Sequence, residues 1–142
     1  MKRQRIAIHV AAGLLILHGL VHLVGHLAGA PAPTNPTEAQ LMNLMSTYRF
    51  DVGGVQRTAD DIVLGFSLSY TMLLLLWAAL LLTVVRALTP VLLARLALVS
   101  AAGCGILLGI GLRHFPLPPT ILFALTFVAL ALACRPSRAE VG

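Results

Sequence analysis

The chain has 142 residues, of which 58% are hydrophobic and only 11% charged, and carries a net charge of +5. Soluble domains hold about 25% charged residues, so this composition excludes one and places the chain in a bilayer as a single domain. The basic excess is scattered over span ends and loops, with Lys2-Arg3-Gln4-Arg5 its longest basic run, a pattern of membrane topology that excludes a nucleic-acid-binding surface.

A crossing helix needs about 20 apolar residues, and the gaps between charges delimit four spans, 6–30, 62–85, 91–112 and 119–134, with an outer loop at 31–61. The expected fold is therefore all-α: an up-down four-transmembrane-helix bundle with a short amphipathic helix in the first loop.

Span one begins after Lys2-Arg3-Gln4-Arg5 and ends near Ala28-Gly29-Ala30, which gives it some of the marks of a signal peptide. Its apolar run is long for one, it is followed by Pro31, and it contains three imidazoles, so it is read as a retained span. His18, His22 and His26 recur every fourth residue and form one stripe. Imidazoles at membrane depth need partners, and their presence makes this stripe the chief candidate site.

In the loop, Pro31, Pro33 and Pro36 hold an extended exit from span one. Thr37-Glu38-Ala39-Gln40 has the form of a capping box, and Leu41, Leu44, Met45 and Tyr48 follow at helical spacing. This amphipathic helix is expected to lie in the outer interface or to pack down over the bundle mouth. Gly53-Gly54 breaks it, and Thr58-Ala59-Asp60-Asp61 opens span two with a second cap, which makes at least one of the two carboxylates a helix-start device.

Spans one and two run in opposite directions, so stepping inward by fours matches His26 with Asp61, His22 with Gly65 and His18 with Ser69. The expected site is thus a polar pocket of His18, His22, His26, Asp61 and Ser69 in the outer half of the bundle, with Gly65 admitting close approach. His114, just past span three, returns a fourth imidazole to the same rim.

Several chemistries compete for this seam. The histidines could simply bond to Ser67, Ser69, Asp61 or carbonyls and join two helices. A metal reading takes His22 and His26 as an i, i+4 pair completed by Asp61 or Asp60 and by His114, a set suited to Zn²⁺, Fe²⁺ or Cu²⁺. A haem reading needs facing imidazoles on two helices; spans two and four have none, so it calls mainly for a dimer pairing span one with its copy. Proton or quinone chemistry is the third, since a file of imidazoles ending in a carboxylate has the form of a short relay. No metal or cofactor is required by the reading preferred here.

Span three carries Ala101, Gly105, Gly109 and Arg113 on one stripe, and span one carries Gly25-x-x-x-Gly29. Both are helix-contact patterns, within the bundle or in a homo-oligomer. Trp77 sits mid-span, in the core or against lipid. Cys104 and Cys134 lie at different depths, so no disulfide is expected. No nucleophile elbow, phosphate loop, zincin motif or nucleotide fingerprint is present in the sequence, and Ser67 and Ser69 lack a base-and-acid arrangement.

For orientation, Lys2, Arg3, Arg5, Arg86, Arg95, Arg135 and Arg138 fall on one side. Arg49, Arg57 and Arg113 fall on the other, together with Glu38, Asp51, Asp60 and Asp61. The positive-inside rule then puts both termini in the cytoplasm and the long loop outside the inner (plasma) membrane.

Tyr48-Arg49-Phe50-Asp51, then Gly53-Gly54, Arg57 and Gly65-Phe66-Ser67-Leu68, resemble a family of small bacterial four-helix membrane proteins of no established function. Its members carry an Arg-Phe-Asp-like element, an Arg-Ser-aromatic-Asp turn and a Gly-Phe-Gly-Leu entry into span two after a His-rich first span. Thr58-Ala59-Asp60-Asp61 stands here in place of the aromatic-bearing turn, and Ser67 in place of the second glycine. The resemblance covers residues 1–85; it implies the four-helix topology and no activity. The function expected from the sequence is that of a non-enzymatic binding or accessory membrane protein, with a metal-, haem- or quinone-linked redox protein as the alternative.

Overall fold

The computed structural model describes residues 2–134; Arg135 and Arg138, counted above toward orientation, lie outside the described residues. Five helices and one hairpin follow in order: α1 (Lys2–Leu27), α2 (Pro36–Thr47), β1 (Arg49–Val52), β2 (Val55–Thr58), α3 (Ala59–Val84), α4 (Pro90–His114) and α5 (Leu117–Ala133).

The helix boundaries follow from caps and prolines. Thr58 and Asp61 form a capping box at the start of α3: the Asp61 N–H donates to Thr58 Oγ1 at 3.1 Å and the Thr58 N–H donates to the Asp61 carboxylate at 2.9 Å. Helix α4 starts with Thr89 as its cap and Pro90 in its first turn, where a missing N–H costs nothing. It ends at Phe115, whose conformation is already extended because a proline follows.

Three helices, α1, α3 and α4, are long and apolar enough to cross a membrane. Helix α5 is equally apolar in character but has 17 residues, a rise of about 25 Å at ~1.5 Å per residue.

The four long helices pack in alternating directions. Arg5 on α1 donates to the carbonyl of Arg86 beyond the end of α3, while His18 meets Tyr70. Gln4 donates to the carbonyl of Ala133 at the end of α5, and His18 stacks edge-on against Phe123. Gly111 of α4 lies against Thr120 of α5, and Gly105 against Phe127. Around the bundle, α1 lies against α3 and α5, α5 against α4, and α4 meets α3 through side chains, with the Trp77 indole N–H donating to Ser100 Oγ at 3.3 Å. The core runs along this axis through Ile8, Leu15, Leu74, Leu81, Leu93, Phe123 and Leu130. Cys104 and Cys134 are both free.

The small-residue stripes divide. A Cβ at Gly105 would stand 3.3 Å from the Phe127 ring, so this part of the α4 stripe serves the contact with α5. At Gly25, Gly29 and Gly109 a Cβ would meet nothing within 4 Å, so those glycines make no helix contact among the described residues.

The loop between α1 and α3 departs from expectation twice. The α2 cap is Asn35, not Thr37: the Glu38 N–H donates to the Asn35 side chain, and Pro36 supplies a first helical residue with φ already set. The Glu38 carboxylate reaches back to the N–H and hydroxyl of Thr34, at 2.6 and 2.8 Å, and these bonds hold it below the usual carboxylate range. Gly53-Gly54 does more than end a helix. With φ values of 62° and 83° the pair turns an antiparallel hairpin in which Val52 faces Val55, and Asp51 accepts a bond from the Gly54 N–H at 2.6 Å. Two consecutive positive φ values are what a type I′ hairpin turn requires, and glycine adopts them without strain.

Candidate functional site: an imidazole and aromatic cleft

Four-residue spacing puts His18, His22 and His26 on one side of α1, and this side faces the interior of the bundle toward the C-terminal half of α1. His18 is 1% exposed, His22 and His26 half-buried. Opposite them α3 presents Ser67 and Tyr70 and α5 presents Phe123. The α4–α5 turn closes the top with Phe115, Pro116 and Pro119, a segment held in place by its prolines.

The rings form one edge-to-face cluster. The His18 and Phe123 centroids are 4.5 Å apart, those of His22 and Tyr70 4.8 Å, and Tyr70 also meets Phe115 and Phe123, each at 6.4 Å. These are favourable aromatic geometries. A bond of 3.1 Å links the Tyr70 hydroxyl to His18 Nε2.

Two adjoining cavities flank His22. The larger, of about 400 Å³, is lined by His22, Phe66, Ser67, Tyr70, Phe115, Pro116 and Pro119. The smaller, of about 280 Å³, reaches His18, Val21, Gly25, His26 and Leu122. Neither lining contains an Asp, Glu, Lys or Arg. Among the described residues His18 Nδ1 and His22 Nε2 are buried without a hydrogen-bond partner, although buried polar nitrogens are nearly always paired.

The expected pocket is thus half assembled. The three histidines come together, but Asp61 and Ser69 do not join them. Both are exposed, and Asp61 spends its carboxylate on the α3 cap. Gly65 is open as well, with nothing within 4 Å of a built Cβ. His18 lies level with residue 70, next to its expected match Ser69; the facing stripe differs. Helix α3 turns about 100° per residue, and the face it buries carries Thr71, Leu74, Ala78 and Leu81, which leaves Asp61, Gly65 and Ser69 on its outer side.

The ligand set of His22, His26, Asp61 and His114 does not assemble. His114 is exposed at the end of α4 and lines neither cavity, and among the described residues no group of three or more His, Cys, Asp or Glu is close enough to hold a metal ion. His18, His22 and His26 share one helix, so they form no facing imidazole pair with one another.

Tyr70, Phe115 and Phe123 are the members that sequence reasoning missed. Tyr70 had a usable signal: it is next to Ser69, at the depth of His18, and carries the longer hydroxyl. The His18–Tyr70 bond can be tested by a double-mutant cycle with His18→Leu and Tyr70→Phe. The expected coupling is about 0.6 kcal/mol, the average for interhelical hydrogen bonds in a membrane, read from reversible unfolding in mixed micelles. Additive single effects would show that the pair contributes nothing.

Comparison with protein-family models, with curated proteins and with solved structures finds no match for this chain.

Proposed function

We propose that this is a four-span protein of the bacterial inner membrane, with both termini cytoplasmic, which binds a small apolar molecule in its outer-half cleft and does not transform it. The fourth crossing is α5, whose short apolar length is supported by its place beside α1 and α4. Lys2, Arg3, Arg5, Arg86 and Arg95 gather at the bundle end where α1 and α4 begin, which supports a cytoplasmic location for that end. The resemblance of residues 1–85 to small bacterial four-helix membrane proteins agrees with this placement.

The observation that carries the binding reading is the cleft itself. It joins two cavities walled by aromatic rings and prolines, bears imidazoles on its inner side, and has the half-open rim of Phe66, which is 74% exposed. Ligand sites are concave, mainly apolar and furnished with a few polar groups. Nothing in the lining combines a nucleophile with a base and an acid.

Native mass spectrometry of protein taken from membranes in mild detergent tests this reading. One small apolar molecule retained per chain is expected, and Ser67→Trp, which fills the larger cavity, should lose it while keeping the helical circular-dichroism spectrum. A wild-type protein that carries none would overturn the reading.

A further inference from the structure

The cleft makes a specific chemical demand. Within the described residues, the Tyr70 hydroxyl has one hydrogen-bond partner, His18 Nε2. If the phenol donates its proton there, the neutral imidazole must carry its own proton on Nδ1, which is buried and unpartnered. If Nε2 donates instead, the phenol proton is left without an acceptor. Either tautomer leaves one buried donor unpaired, and the first leaves fewer orphaned groups. One helical turn outward, about 6 Å along the axis, His22 Nε2 offers a second unpartnered nitrogen beside both cavities.

A ligand that satisfies these groups must supply a hydrogen-bond acceptor. It must also be neutral, because no fixed charge lines the cleft to receive a phosphate or an ammonium. A flat ring suits walls built from Phe66, Tyr70 and Phe115, and a volume of about 400 Å³ takes a one- or two-ring headgroup beside the smaller cavity that His18 lines. Membrane-dissolved molecules with carbonyl oxygens on a flat neutral ring are quinones. We propose that the cleft receives a quinone headgroup, with one carbonyl oxygen accepting from the His18–Tyr70 pair and the His22 side of the ring toward the cleft mouth. This assignment rests on the ligand-binding reading above and concerns binding only.

The test titrates the purified full chain in detergent with decylubiquinone and, in parallel, with decylbenzene, which has the same tail and a ring without carbonyls. Saturable one-to-one binding of the quinone is expected, at least about tenfold tighter than the hydrocarbon, the equivalent of one good hydrogen bond to a buried donor. His18→Leu should abolish that preference. His22→Leu, which breaks no bond in the fold, should reduce it with helicity unchanged, and this variant keeps the test decisive if His18→Leu fails to fold. Equal binding of the two probes would overturn the quinone assignment and leave the apolar-ligand reading standing, with water on the His18 donor. No saturable binding of either would overturn both.

Discussion

Phe123→Ala is expected to lose about 3 kcal/mol of bundle stability, the lower end of the range for burying and then deleting a phenyl ring. The lower end applies because lipid is as apolar as the core, so packing is lost but little transfer energy. Phe123 is fully buried, stacks on His18, and accepts the Cys104 thiol at its carbonyl, with 3.3 Å between sulfur and oxygen. Its ring therefore joins α5 to His18 of α1 and Tyr70 of α3 at the level of the cleft, while its carbonyl makes the bond to α4. Unfolding by SDS titration in mixed micelles measures the loss. Phe66→Ala serves as the comparison: that ring is 74% exposed at the cleft rim and its removal should change stability by less than about 0.5 kcal/mol. Equal costs for the two would remove Phe123 from the centre of the packing.

Gly111→Val should cost about 1–3 kcal/mol by overpacking. A Cβ there would lie 3.2 Å from Thr120 Oγ1 and 3.6 Å from the Phe115 ring, and the Thr120 hydroxyl cannot swing away freely because it donates to the Pro116 carbonyl at 3.1 Å. The displaced groups belong to the turn that roofs the cleft, so decylubiquinone binding should weaken along with stability. Two residues earlier the sign reverses. At Gly109 nothing lies within 4 Å of a built Cβ, so Gly109→Ala should gain about 0.5–1 kcal/mol from the lower backbone entropy of the unfolded chain. The same micelle titration distinguishes the two glycines, and a destabilising Gly109→Ala would mean that a second copy of the chain packs on that face.

How far the sequence could be read varied with the physical signal involved. Apolar length and charge gaps define long helices well, because one missing backbone bond in hydrocarbon is costly; spans read at 62–85 and 91–112 became Ala59–Val84 and Pro90–His114. The Thr58–Asp61 cap was legible because its chemistry is local. The hairpin was not, although a Gly-Gly pair between Val52 and Val55 is a hairpin signal, since the same pair also reads as a helix terminator. The site was legible on α1, where a four-residue period states which side chains share a face. It was not legible on α3, where almost every residue is apolar and the buried side could not be told from the lipid side by hydrophobicity. A rotation of one residue separates Ser69 from Tyr70, and that rotation was decided by the packing of Leu74, Ala78 and Leu81 against α1. Phe115 and Phe123 came from parts of the chain where no polar periodicity marked a face at all.

The contact of Trp77 with Ser100 has a practical outcome for anyone handling this molecule. The chain holds a single tryptophan, and it sits where α3 and α4 are joined by side chains alone. Its native fluorescence therefore comes from one known seam, and a change in emission colour reports the parting of that seam without a dye, a tag or an added cysteine.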